Sequence, residues 1–144
     1  MEGKNKNLFL SAGLLGLALF IADRVLKNLV LAGKIFGVKN YGLALSIGFG
    51  GKFWEIIFWV LAGAVIFLLA YFLYKFIFEN KPFFFFSFFL LFLGAASNII
   101  DRLKFGYVID YFNFHFFYNN LADIIIWLGI VIYLIEIWYN KKIK

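Results

Sequence analysis

Four long apolar runs, separated by short polar stretches, set the pattern of the chain. They cover about 8–30, 53–78, 82–103 and 120–139, and each meets the roughly 20 residues that a helix needs to cross a hydrocarbon core. Pro82 suits the first turn of the third run, where its missing N–H is not needed. The first run follows Lys4 and Lys6 and so imitates a secretory signal. Its length, and the arrival of Asp23 and Arg24 with no small-x-small cleavage site, predict a retained helix instead. The stretch 31–52 is rich in Gly and alternates loosely through Val38-Lys39-Asn40-Tyr41-Gly42-Leu43, which predicts short strands or an irregular lid outside the membrane. The expected fold is an all-α membrane protein. It forms a four-transmembrane-helix bundle in one domain, 1–144, with a small extracytoplasmic β-rich or irregular lid between helices 1 and 2.

Four spans return both termini to one side. Lys4, Lys6, Lys75, Lys81, Lys141, Lys142 and Lys144 fall on that side, and the positive-inside rule makes it cytoplasmic. Lys34, Lys39, Lys52 and Lys104 fall on the other, in longer segments. This topology brings Asp23, Lys27, Asn40, Asn98, Asp101, Arg102, Asp110, Asn120 and Asp123 to one membrane face, leaving Glu55 and Glu136 as the acids elsewhere in the spans.

Composition sharpens this picture. The chain is 65% hydrophobic and 15% charged, against about 45–50% and 25% in soluble domains, so a bilayer is its natural solvent. The net charge of +6 sits in tails and short loops. Anionic lipid headgroups are the expected partner, and nucleic acid is not. The absence of Cys excludes disulfides, thiolate nucleophiles and thiolate metal sites. His115 is the only His, so no His pair supports zinc, and it is expected at the interface. The run Gly48-Phe49-Gly50-Gly51-Lys52 lacks the spacing of a phosphate loop.

The polar residues fall into constellations, each with a plain structural reading beside a chemical one. Asp23 and Lys27 at i, i+4 can pair on one helix face, either as a snorkelling pair at a helix end or beside a wet cavity. Gly94, Asn98, Asp101 and Arg102 form one stripe, either a close helix contact with an interfacial charge pair or the polar wall of a site. Asn120 can cap the fourth helix and Asp123 can favour its N-terminal dipole. The short turn-back at 111–119 can also bring Asp110 and Asp123 together. Two carboxylates a few ångströms apart share a proton, one activating water while the other protonates a peptide carbonyl.

Taken together these blocks resemble the lipoprotein signal peptidase (signal peptidase II) family. Asp23-Arg24-Val25-Leu26-Lys27 is similar to its D-x-x-x-K, and Asn40-Tyr41-Gly42-Leu43-Ala44 to its N-x-G-x-A. The run from Gly94 to Arg102 resembles G-x-x-G-N-x-x-D-R, Val108-Ile109-Asp110-Tyr111 resembles V-x-D-F, and Asn119-Asn120-Leu121-Ala122-Asp123 resembles F-N-x-A-D. Ser97 stands where the family usually has Gly, Tyr111 and Asn119 where it usually has Phe, and the connection between the last two blocks is short. A loosened helix contact at Ser97 is the expected consequence of the first.

The resemblance implies an aspartic endopeptidase with Asp110 and Asp123 as its dyad. Asn40, Gly42, Asn98, Arg102 and Asn120 would bind substrate or support the dyad, while Asp23, Lys27 and Asp101 would be structural. No metal or organic cofactor is implied. The implied substrate is a lipid-modified prolipoprotein, cut just before its diacylglyceryl cysteine, and a globomycin-type inhibitor is expected. The implied setting is a monomer in the bacterial cytoplasmic (inner) membrane, with its site near the extracytoplasmic face. A catalytically idle relative that binds lipidated peptides and an unrelated four-helix transporter or assembly factor are the competing readings.

Overall fold

The computed structural model describes residues 2–42 and 52–142. Four helices carry the chain: α1 (Glu2–Leu31), α2 (Lys52–Phe78), α3 (Pro82–Phe105) and α4 (Leu121–Lys142). All four are long and apolar enough to cross a membrane. Their ends run a few residues past the apolar runs because polar residues continue the helices. α1 takes in Asn5 and Lys6, and α4 continues to Lys141 and Lys142, whose cations suit the C-terminal dipole. Pro82 opens α3, and Gly106 closes it in the left-handed region at φ 78°, its N–H returning to the Arg102 carbonyl.

α3 is the hub, with α4, α1 and α2 each packed against it. A Cβ on Gly94 would lie 2.6 Å from the Ala122 carbonyl oxygen, and one on Gly129 would lie 2.8 Å from that of Ser87. The missing side chains therefore let α3 and α4 approach backbone to backbone, and Ser87 Oγ uses the approach to donate to the Gly129 carbonyl at 3.0 Å. Leu90 and Leu93 of α3 and Ile125 of α4 lie in the same interior.

Polarity is inverted relative to a soluble protein. Asp23, Lys27, Ser87, Ser97, Asp101, Asp110 and Asn120 are buried, whereas Leu14, Val60, Phe67, Val131 and Trp138 face outward. Lipid can solvate neither charge nor free hydrogen-bonding groups, so polar side chains must find partners inside. Among the described residues, no buried side-chain nitrogen or oxygen lacks one.

Two small antiparallel pairs close one end of the bundle. β1 (Val38–Asn40) pairs with β2 (Val108–Asp110), Val38 opposite Asp110 and Asn40 opposite Val108. β3 (Phe112–Asn113) and β4 (Tyr118–Asn119) form a hairpin where the sequence suggests only a turn-back. β1 is the strand expected in the lid. The rest of that segment, with the Gly48–Lys52 run almost entire, lies outside the described residues.

Candidate active site

Asp110 ends β2 and Asp123 stands in the first turn of α4. Side chains alternate along a strand, so Asp110 shares the face of Val108 and is the diagonal neighbour of Asn40. Asn40 Nδ2 donates to Asp110 Oδ2 at 2.9 Å, and its Oδ1 accepts the Gly42 N–H at 2.9 Å, which fixes the amide's orientation. Arg102 Nη2 donates to the Gly42 carbonyl and steadies the same turn. The other oxygen of Asp110 accepts Asn120 Nδ2 at 2.6 Å. Asn120 Oδ1 in turn accepts the Asp123 N–H at 3.0 Å, a helix cap whose opposite end reaches Asp110. Asn98 Nδ2 donates to Asp123 Oδ1 at 2.8 Å while Asn98 Oδ1 accepts Lys27 Nζ at 2.9 Å. One chain of hydrogen bonds thus runs from Arg102 through Gly42, Asn40, Asp110, Asn120, Asp123 and Asn98 to Lys27.

Burial pushes the Asp110 carboxyl above its ordinary value, against the lowering effect of the Asn40 and Asn120 bonds, and the charge of Asp123 adds to the upward push. The two carboxylates are therefore electrically coupled. Arg102 lies within electrostatic range of both, with its guanidinium 5.0 Å from the Phe58 ring centroid.

Behind the aspartates lies a second polar cluster. Lys27 Nζ stands 3.2 Å from Asp23 and 2.8 Å from Asp101, with all three side chains fully buried. Arg24 pairs with Asp101, so two acids meet two cations. Ser97 Oγ donates to Asp23 and accepts from Lys27 at 3.3 Å and Arg24 at 3.2 Å. Asp101 Oδ2 also accepts the Ile109 N–H at 3.3 Å, which ties β2 to α3. A buried charge cluster holds only when paired and fully hydrogen-bonded, and this one is both.

These contacts change three expectations. Asp23 and Lys27 pair, but both are inside the bundle, so snorkelling is excluded. Asp101 does not partner the adjacent Arg102; it faces Lys27 and Arg24. Asn98 and Asp101 share one stripe of α3: both reach Lys27 of α1, and Asn98 also reaches Asp123 of α4. Ser97 loosens nothing: it is buried and bridges α3 to α1. Arg24 and Tyr111 have no role foreseen from sequence, yet both bind the cluster. An Arg within an apolar helix and a hydroxyl beside a buried acid were the available signals. His115 is exposed in the hairpin turn, and among the described residues no group of three or more His, Cys, Asp or Glu side chains could hold a metal.

Helices of membrane-spanning length, polarity turned inward and coupled carboxylates at one end of the bundle define a multi-pass membrane protein with a carboxylate-centred polar site. Residues 15–139 match the family model described as signal peptidase (SPase) II. The lipoprotein signal peptidase of Lactococcus lactis subsp. cremoris (strain MG1363) is 34% identical over 141 residues, covering 86% of this chain and 91% of the relative. That of Bartonella henselae is 36% identical over 117 residues, covering 75% and 70%. The fold also superposes on a solved bacterial membrane enzyme with a TM-score of 0.76 at 24% identity, over 93% of this chain and 91% of the other. The chain belongs to the signal peptidase II family, a family of proteases.

Proposed function

We propose that this protein is an aspartic endopeptidase that removes the signal peptide from lipid-modified prolipoproteins, cutting just before the diacylglyceryl cysteine. The observation that carries the mechanism is the Asn120 bridge, which donates to the Asp110 carboxylate and accepts the Asp123 N–H. It holds the two aspartates to one side chain despite the short connection between their motifs, which counts against a catalytically idle relative. The polar residues form one connected cluster at a single end of the bundle, not a path through it, which counts against a transporter.

In this mechanism Asp110 and Asp123 share one proton. The ionised partner takes a proton from water as the oxygen attacks the scissile carbonyl carbon, and the protonated partner donates to the carbonyl oxygen. The tetrahedral intermediate collapses by breaking the C–N bond, with a proton delivered to the leaving amine, and no acyl-enzyme forms. Asn40, Asn98 and Asn120 orient the carboxylates, and Arg102 with Gly42 braces the strand edge along which an extended peptide would lie. Asp23, Lys27 and Asp101 hold the frame. Lys75, Lys81, Lys141 and Lys142 at the opposite end favour a cytoplasmic position for both termini, in the bacterial inner membrane, with the dyad toward the extracytoplasmic face. The protein would act as a monomer, and a globomycin-type peptide would block it by occupying the dyad.

The test is incubation of the purified protein with a lipidated prolipoprotein, comparing wild type, Asp110→Asn and Asp123→Asn. Wild type should release the shortened product, and each variant should lose at least about a thousandfold in rate, a barrier increase of about 4 kcal/mol. Equal cutting by all three would sink the dyad, and no cutting by wild type would favour a binding protein.

A further inference from the structure

The apolar surface does not stop where the helices stop. The β3–β4 hairpin presents Phe114, Phe116 and Phe117 at its turn, with Phe116 96% exposed. Phe114 and Phe117 stack with ring centroids 5.5 Å apart. The turn has a defined geometry. The Phe114 N–H bonds the Phe117 carbonyl at 3.0 Å, and Asn113 Oδ1 accepts the His115 N–H at 2.8 Å. Beside it Phe36, 72% exposed, lies 6.1 Å from the Tyr118 ring, preceded by exposed Ile35 and by Lys34.

These rings lie outside the buried core, and an aromatic patch of this kind is poorly suited to water. It is continuous with lipid-facing surface, because the hairpin runs through Asn120 directly into α4, whose Ile124 and Trp127 are exposed. Its place next to the start of a span puts it at interface depth, where aromatic rings are favoured, and Lys34 suits anionic headgroups.

We infer that the hairpin tip, together with Phe36, is a membrane-interface anchor that seats its rings in the leaflet at the Asp110–Asp123 end of the bundle. The same hairpin links Asp110 to Asn120, so anchoring it sets the depth of both aspartates. The occupant of the patch is the bilayer itself. The inference rests on the chain spanning a membrane and not on the peptidase reading.

The chain contains no Cys, so Phe116→Cys and Phe36→Cys each give a unique site for a nitroxide label. The protein is reconstituted in phosphatidylcholine–phosphatidylglycerol vesicles, and power saturation compares collision with oxygen and with a water-soluble nickel chelate. Phe67→Cys on α2 is the lipid-facing reference and Lys142→Cys the aqueous one. Oxygen contact should exceed nickel contact at 116 and 36, at a depth shallower than at 67. Nickel contact like that at 142 would overturn the anchor. A label that is wet in vesicles and protected only after a lipidated prolipoprotein is added would overturn it too, giving the patch to the substrate's acyl chains.

Discussion

The Tyr111 hydroxyl donates to Asp23 Oδ1 at 2.8 Å and accepts the Leu121 N–H at 2.9 Å. One phenol therefore joins the residue after Asp110, the buried acid of α1 and the first residue of α4. Asp23 Oδ1 also takes the Ala122 N–H at 3.1 Å, and Asn120 Oδ1 takes that of Asp123 at 3.0 Å. The first N–H groups of a helix have no partner within it. Here three in succession are satisfied by α1, by the β2–β3 junction and by the helix cap. Burial, reinforced by the charge of Asp23, pushes the phenol well above its ordinary value, so Tyr111 stays a donor across the working pH range.

Tyr111→Phe removes the acceptor for Leu121 and a donor to Asp23 in one step. The expected loss is about 1–3 kcal/mol of stability, the range for leaving a buried polar group unpaired. Turnover should fall while KM stays near wild type, because the hydroxyl acts on the elements that carry the aspartates. Denaturant titration in micelles and steady-state kinetics read the two effects separately.

Lys27→Met should cost more. Lys27 lies between Asp23 and Asp101 with no exposure on any of the three side chains. Removing one partner from a buried ion cluster costs about 3–5 kcal/mol, because the remaining charge is stranded. Adding Asp23→Asn to the variant should restore part of that loss, since Asp23 is the acid left stranded whereas Asp101 keeps Arg24. A double variant no more stable than Lys27→Met alone would mean that the charges do not act as one cluster.

Gly94→Ala tests the helix approach under the site. The new Cβ would stand 2.6 Å from both the Ala122 carbonyl oxygen and Ile126 Cγ1, one turn from Asn98. Overpacking of this kind costs about 1–3 kcal/mol, and separating α3 from α4 stretches the Asn98–Asp123 bond, so activity should fall as well. Gly63→Ala is the control: its Cβ meets nothing within 4 Å, and it should gain up to about 1 kcal/mol from the better helix former. Thermal unfolding of both variants alongside their cleavage rates distinguishes the two outcomes.

The four helices were legible because apolar runs of spanning length leave few alternatives, and Pro82 and Gly106 mark the ends of α3 by their own backbone chemistry. The gathering of Asp110, Asp123, Asn40, Asn98 and Asn120 was legible from topology and from motif order. What was not legible was direction. Ser97 and Asn98 are consecutive and both meet α1, and only the rotation of α3 decides that Asn98 is the one that also reaches Asp123. The adjacency of Asp101 and Arg102 suggested a pair, but neighbours on a helix diverge by about 100°, and Asp101 turns toward Lys27 and Arg24. The hairpin at 112–119 leaves no mark in the sequence because its strands are two residues each, too short for any periodicity to show.

The pH dependence of cleavage should report Asp110, and Asn40→Ala should move it in a defined direction. Burial raises the Asp110 pKa, so the folded state holds the proton more tightly than the unfolded chain. The stability linked to this group is therefore greatest below the ordinary carboxylate value and is lost as pH rises toward the raised one. A dyad needs one proton, so activity should fall on the alkaline side as that proton leaves, through a value belonging to the pair. Asn40 Nδ2 bonds the charged form of Asp110 and holds the pKa down. Removing it should shift the alkaline limb of kcat/KM upward by about one pH unit, the equivalent of one charge-assisted hydrogen bond of about 1.5 kcal/mol. An alkaline limb that stays in place in Asn40→Ala, or moves to lower pH, would show that Asp110 is not the carboxylate being titrated.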